Sequence, residues 1–249
     1  MKKILFSLLA ATAFFLIGCL ETTQEISLND DGSGILSNTN DMSALMGIFR
    51  QMGNEAEMKG ADQVIDSTIS MKEGADSIPN LTAEEREMAS KGTLHINMDM
   101  KNDKFSTRLT FPFSSPAEIT GYQKLSGKIM SETMKDQAGD GMPMGGDMPE
   151  PSSFDDYYII EFSNGLITRT LNKEKYAKVG EDEYLKGMKE TSSMGLTMKA
   201  NYLINLPRPA KTAEGKGILL TEDKKKVTVS SDLDDFFEDP SKLEFKIEF

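Results

Sequence analysis

The sequence predicts an α+β fold: a mostly antiparallel, hairpin-linked sheet with helices packed on one face. Three observations predict it. Short runs with apolar residues at every second position recur along the chain, joined by turns of Gly, Asn and Asp, the pattern of strands with one wet and one dry face. Stretches with apolar residues three and four apart lie between these runs, so helices are expected as well. The two kinds of segment do not alternate regularly, which argues against the strand-helix-strand repeat of a parallel sheet.

The chain opens on Met1, Lys2 and Lys3, then an uncharged, mostly apolar run of 14 residues from Ile4 to Ile17 that includes Ser7 and Thr12, then Gly18 and Cys19, with polar residues following from Glu21. That order is a secretory signal. A helix crossing the hydrocarbon needs about 20 residues, so the run is too short for a permanent span. Leu16, Ile17, Gly18 and Cys19 resemble the lipobox of bacterial lipoproteins. A thiol is the nucleophile that accepts a diacylglyceryl group, and a small residue before it lets the peptidase reach the bond. Residues 1–18 are therefore expected to be a lipoprotein signal peptide, with lipidation at Cys19. Two or more acyl chains anchor a protein stably where one does not. Leu20, rather than Asp, follows the cysteine, which favours release to the outer membrane with the domain facing the periplasm.

Residues 19–249 are expected to form a single α+β lipoprotein domain. Cys19 is the one cysteine, so no disulfide forms within a molecule. The signal takes away two of the 28 basic residues and none of the 40 acidic ones, and the formal charge moves from −12 to −14. Such a surface repels nucleic acid and anionic headgroups, and a nucleic-acid role is set aside.

Residues 24–37 read as a hairpin, with Ile26 and Leu28 alternating before the turn residues Asn29 to Gly34 and Ile35 starting the return. Leu45, Ile48, Phe49 and Met52 fall at helical spacing within Ser43 to Lys59, behind the capping candidates Asp41 and Ser43. Signals weaken from Ala61 to Lys91, apart from Val64, Ile65 and Ile69 and a helical patch opened by the capping-box spacing of Thr82 and Glu85. Leu94, Ile96, Met98 and Met100 alternate with polar residues, Asn102 and Asp103 turn the chain, and Phe105, Thr107, Leu109, Phe111 and Phe113 line one face of the return. Pro112 is expected to end that pairing. A helix is expected from about Tyr122 to Lys135, with Leu125, Ile129 and Met130 on one side.

A flexible loop rich in Met, Gly, Pro and Asp is expected at about 137–153. Tyr157 to Phe162 and Leu166 to Leu171 form a hairpin around Asn164 and Gly165. Short helical patches follow from Lys173 to Met188, then a strand from Leu196 to Leu206 closed by Pro207 and Pro209. Gly217 to Leu220 and Val227 to Val229 flank a polar turn, Asp232 to Glu238 reads as a short capped helix, and Leu243, Phe245, Ile247 and Phe249 alternate in a last strand. Eight or nine strands in one sheet is the first expectation. A split at the Met-rich loop into two subdomains is the alternative.

The early strand running into Asp31-Gly32-Ser33-Gly34 soon after Cys19, the helical middle and the late strand entering Leu206-Pro207 resemble the LppM-like group of small bacterial lipoproteins. The resemblance implies an α+β domain associated with envelope lipids or glycolipids, in a group with no established enzyme chemistry. It transfers no site residue, because the matching positions are turns and core strands.

Catalytic supplies are short, and the chain is expected not to be an enzyme. Cys19 is consumed by the anchor, and the single histidine, His95, lies on the strand face opposite Leu94 and Ile96, where a general base would need a partner in reach. No Gly-x-Ser-x-Gly elbow or His-based metal motif occurs, and no cofactor is expected. Asp155-Asp156 and Asp234-Asp235 are carboxylate pairs of the type glycosidases use, but the chain has no Trp to stack a sugar, so both read as structural. Asn29 to Ser33 offers oxygens for calcium but lacks the later bidentate Glu, and reads as a turn. Of 17 methionines, Met142, Met144 and Met148 lie in the loop, where a thioether set for Cu(I) is the metal candidate. Two classes remain: a membrane-anchored protein that binds a lipid-like ligand or an envelope protein, and a copper-handling lipoprotein.

Overall fold

A computed structural model describes residues 18–44, 46, 64–138, 152–193 and 196–249. Among the described residues, twelve strands form two sheets. The larger holds β1 (Gly18–Leu28), β2 (Gly34–Asp41), β3 (Val64–Ser70), β4 (Thr93–Asp99), β5 (Lys104–Phe113), β8 (Leu196–Asn205), β10 (Ile218–Leu220) and β11 (Lys226–Asp232). Their order is β10-β11-β8-β1-β2-β5-β4-β3. The smaller holds β6 (Tyr158–Ser163), β7 (Leu166–Leu171), β9 (Thr212–Glu214) and β12 (Phe245–Glu248), in the order β6-β7-β12-β9. Helices α1 (Met71–Gly74), α2 (Ala83–Ser90), α3 (Ile119–Ala138), α4 (Lys173–Tyr176), α5 (Glu183–Ser193) and α6 (Leu233–Glu238) complete it. No helix among the described residues is long and apolar enough to cross a membrane.

The fold is α+β, with every pairing antiparallel except β1 with β8. Two sheets replace the single sheet expected, and strands that follow residue 153 join both of them. After that loop β6 and β7 begin the small sheet, β8 returns to the large one, and β9 and β12 go back. Strand identity is a local matter of alternation, while allocation to a sheet depends on distant partners such as Ile26 and Ile204, opposite each other across β1 and β8. The stretch from Val64 to Ile69, where signals were weak, is the edge strand β3.

One face of the large sheet is dry. Ile26, Leu36, Phe111, Ile204 and Val227 lie in register across five strands and are buried. Helix α3 covers this face over β2 and β5, where Tyr122 stacks on Phe111 with centroids 4.9 Å apart. The small sheet covers the neighbouring part, bringing Ile167, Phe245 and Ile247 into the same core. Helices and a second sheet therefore share the face that helices alone were expected to cover. The opposite face is polar, with Asn201 and Asn205 donating across to Glu21 and Glu25 at 2.5 and 2.7 Å.

Local signals hold in detail. Thr82 and Glu85 form a reciprocal capping box at the start of α2. Gly165 takes φ +100° in the tight turn between β6 and β7, the left-handed region that favours glycine. Asp232 caps α6 by accepting from the Asp235 amide at 2.7 Å. Pro112 does not end its pairing. It sits opposite Ile35, and the ladder runs on to Phe113 opposite Gly34. Of the amphipathic helix expected at Ser43 to Lys59, only the first residues are described, and the loop expected at 137–153 falls mostly outside the described residues.

Candidate functional site

The polar centre of the core is Arg169. It lies on β7 two residues after Ile167, so alternation turns it inward toward the large sheet, and its side chain has no exposed surface. The helical turn Phe154–Tyr157 leads into β6 and supplies Asp155, which accepts from Arg169 Nη1 at 2.5 Å and from the Tyr202 hydroxyl at 2.7 Å. The guanidinium lies between two aromatic faces, 4.1 Å from the Tyr158 centroid and 4.3 Å from that of Tyr202. Desolvated cation–π contacts of this kind contribute about 2 kcal/mol. Burial works against the Arg169 charge, and Tyr202 and Asp155 outweigh it, so the group is held cationic. Burial also pushes the Tyr202 and Tyr158 phenols far above their usual value and keeps them neutral.

Arg169 has five N–H donors, and its Nε and Nη2 have no acceptor among the described residues. A cavity of about 10 Å³ adjoins the group, lined by Gln24 and Ile26 of β1, Gln123 of α3, Ile160 and Phe162 of β6 and Phe245 of β12. That is the volume of about one water molecule, far less than a lipid chain needs. A relay of amides and hydroxyls fixes its polar wall. Gln123 donates to Gln24 at 2.6 Å, Gln24 to Asn38 at 3.2 Å, Asn38 to Ser126 at 2.7 Å, and Ser126 to the Tyr122 carbonyl at 2.8 Å. The remaining lining is apolar. A fixed cation with two unpaired donors beside an apolar space is suited to holding an oxygen anion or carbonyl. It offers no nucleophile, and Asp155 already serves two donors.

Arg169 was not singled out from the sequence. Its signal is parity: Ile167, Arg169 and Leu171 share one face of β7, and an arginine in the apolar phase of a strand either ends the strand or is buried with partners.

Of the residues the sequence did single out, Asp155 lies in this site, as the partner of Arg169 and Tyr202, and the others lie elsewhere. His95 has partners on the neighbouring strand: its Nδ1 is 3.0 Å from Thr68 Oγ1 and its Nε2 3.5 Å from Asp66 Oδ1. The three stand on the open polar face near the sheet edge, and the Asp66 side chain is 70% exposed, so nothing there excludes water from a reaction. Asp156 closes a capping box with Ser153, and Asp235 pairs with Lys242. Asp156 and Asp235 thus serve local structure, while Asp155 reaches across to Arg169 and Tyr202. In the turn, Asp31 accepts from the Ser33 amide at 2.9 Å and its hydroxyl at 2.7 Å, while Asn29 donates to Ser33 at 2.9 Å. Its oxygens are occupied in closing the turn. Met142, Met144 and Met148 lie outside the described residues, and no cluster of three metal-ligating His, Cys, Asp or Glu occurs among the described ones. The Cys19 backbone is in β1, opposite Thr197 of β8.

No known protein family and no curated protein matches the chain. Among solved structures, the NMR structure of the Mycobacterium tuberculosis LppM protein folded domain is similar, with 8% identity, a TM-score of 0.37, and coverage of 93% of this chain and 91% of that one. At that level the likeness brings no residue role with it.

Proposed function

We propose that this chain is a lipoprotein of the bacterial cell envelope, anchored through Cys19, whose two-sheet domain acts by binding and not by catalysis. The ligand class that fits Arg169 is a lipid-like molecule with an oxygen-anion or carbonyl head. The observation that carries this reading is the pairing of two unpartnered, fully buried guanidinium donors with an apolar space between the sheets. A ligand larger than water enters only if the edge strand β6 parts from Gln123, since Ile160 and Phe162, both half-buried, form the outer wall. Leu20 behind the anchor supports a place on the outer membrane facing the periplasm.

Mass spectrometry of lipids extracted from the natively purified protein tests the binding. An acidic or carbonyl-headed lipid recovered in near-equal amount, and lost in the D155L/R169M double variant, supports it. An extract without lipid rejects it in favour of a protein partner.

A further inference from the structure

We infer that the domain has no spacer between its lipid anchor and its central sheet, and that it stands on the bilayer by the end of β1, with the turn at residues 29–33 pointing away. The inference rests on the proposed lipidation of Cys19. Its own observation is the register of β1. Cys19 lies opposite Thr197 and Leu20 opposite Met198, so the ladder with β8 is already formed at the residue that would carry the lipid. A thioether to a glyceryl group is only a few bonds long. The strand end beside Cys19 therefore rests at headgroup level.

The strands then fix which groups are near the bilayer. Glu21 is opposite both Asp41 and Lys199, Asp232 is opposite Lys199, and Asp99 is opposite Lys104, which gathers these charges at the anchored end of the large sheet. At the other end of β1, Leu28 is opposite Gly34, and the turn residues Asn29 to Ser33 lie beyond it. From Cys19 to Leu28 the strand rises by about 30 Å. Lying flat would press the open polar face, with Glu21, Glu25, Asp41 and Asp66 beside Arg108 and Lys199, onto the headgroups. Charged groups pressed against a membrane lose hydration, and the upright seat brings only those of the anchored end to it, so that seat is favoured.

The chain has one cysteine, which makes the test direct. Asp41→Cys and Asp30→Cys each put a label at an exposed residue, one near the anchor and one at the distal turn. The lipidated protein is placed in vesicles of phosphatidylethanolamine and phosphatidylglycerol that carry an acceptor dye on a headgroup. Energy transfer from the label at position 41 is expected to exceed that from position 30 by about twofold or more, given the 30 Å rise. Equal transfer, or stronger transfer from position 30, overturns the upright seat. The unsubstituted chain separates the two claims: if its Cys19 takes up the thiol label, the lipidation itself has failed, whatever the orientation.

Discussion

At Arg169 the protein keeps a charge where a hydrocarbon side chain would pack, and its single carboxylate partner is Asp155 at 2.5 Å. Removing one member of a buried pair strands the other, so Asp155→Ala is expected to cost about 3–5 kcal/mol in urea unfolding. Replacing both, as D155L/R169M, is expected to cost no more than about 1–2 kcal/mol, because the desolvation penalties vanish together. Those outcomes together indicate that the pair serves recognition more than stability. A double variant as unstable as Asp155→Ala points to a purely architectural pair. The tyrosines add a pH dependence. Burial raises the Tyr158 and Tyr202 phenols above their ordinary value of 10.0, so the unfolded chain loses these protons first. Stability is then full below about pH 10 and falls above it by about 1.4 kcal/mol per pH unit for each such tyrosine. Tyr202→Phe is expected to shallow that alkaline slope in melting experiments by about one proton's worth, and an unchanged slope contradicts the assignment.

At the scale of elements, caps and turns carry predictions of ordinary size. Thr82→Ala removes the capping box of α2 and is expected to lower stability by about 1 kcal/mol. Gly34→Ala is more severe, since a Cβ there overlaps the Ser27 carbonyl oxygen and the Phe113 ring, and a loss of about 3 kcal/mol is expected. Denaturant titration reads both, and equal effects would contradict the packing described. These features were readable in the sequence because their causes are local. The Thr82 and Glu85 spacing, the Asn164-Gly165 tip and the Asp232 cap each act within four residues. The division into two sheets was not readable, because β8 and β12 alternate in the same way and only their remote partners send one to β1 and the other to β7. The Arg169 site was hidden for the same reason. Its components come from residues 155, 158, 169 and 202, and no spacing within a strand records that they meet.

At the scale of the whole molecule, the proposed lipid anchor meets the sheet at Cys19, where the ladder with β8 is already formed. Cys19→Ser is expected to leave the fold intact, since serine keeps the backbone pairing and nearly the size of cysteine, while the protein accumulates as unprocessed precursor without lipid. Circular dichroism and fractionation read the two parts separately. The most direct measurement is the intact mass of the amino-terminal peptide of membrane-extracted protein. The account predicts a peptide beginning at Cys19 and heavier by a diacylglyceryl group, with a further acyl chain on its amine. A peptide beginning at Met1, or at an unmodified cysteine, would contradict it.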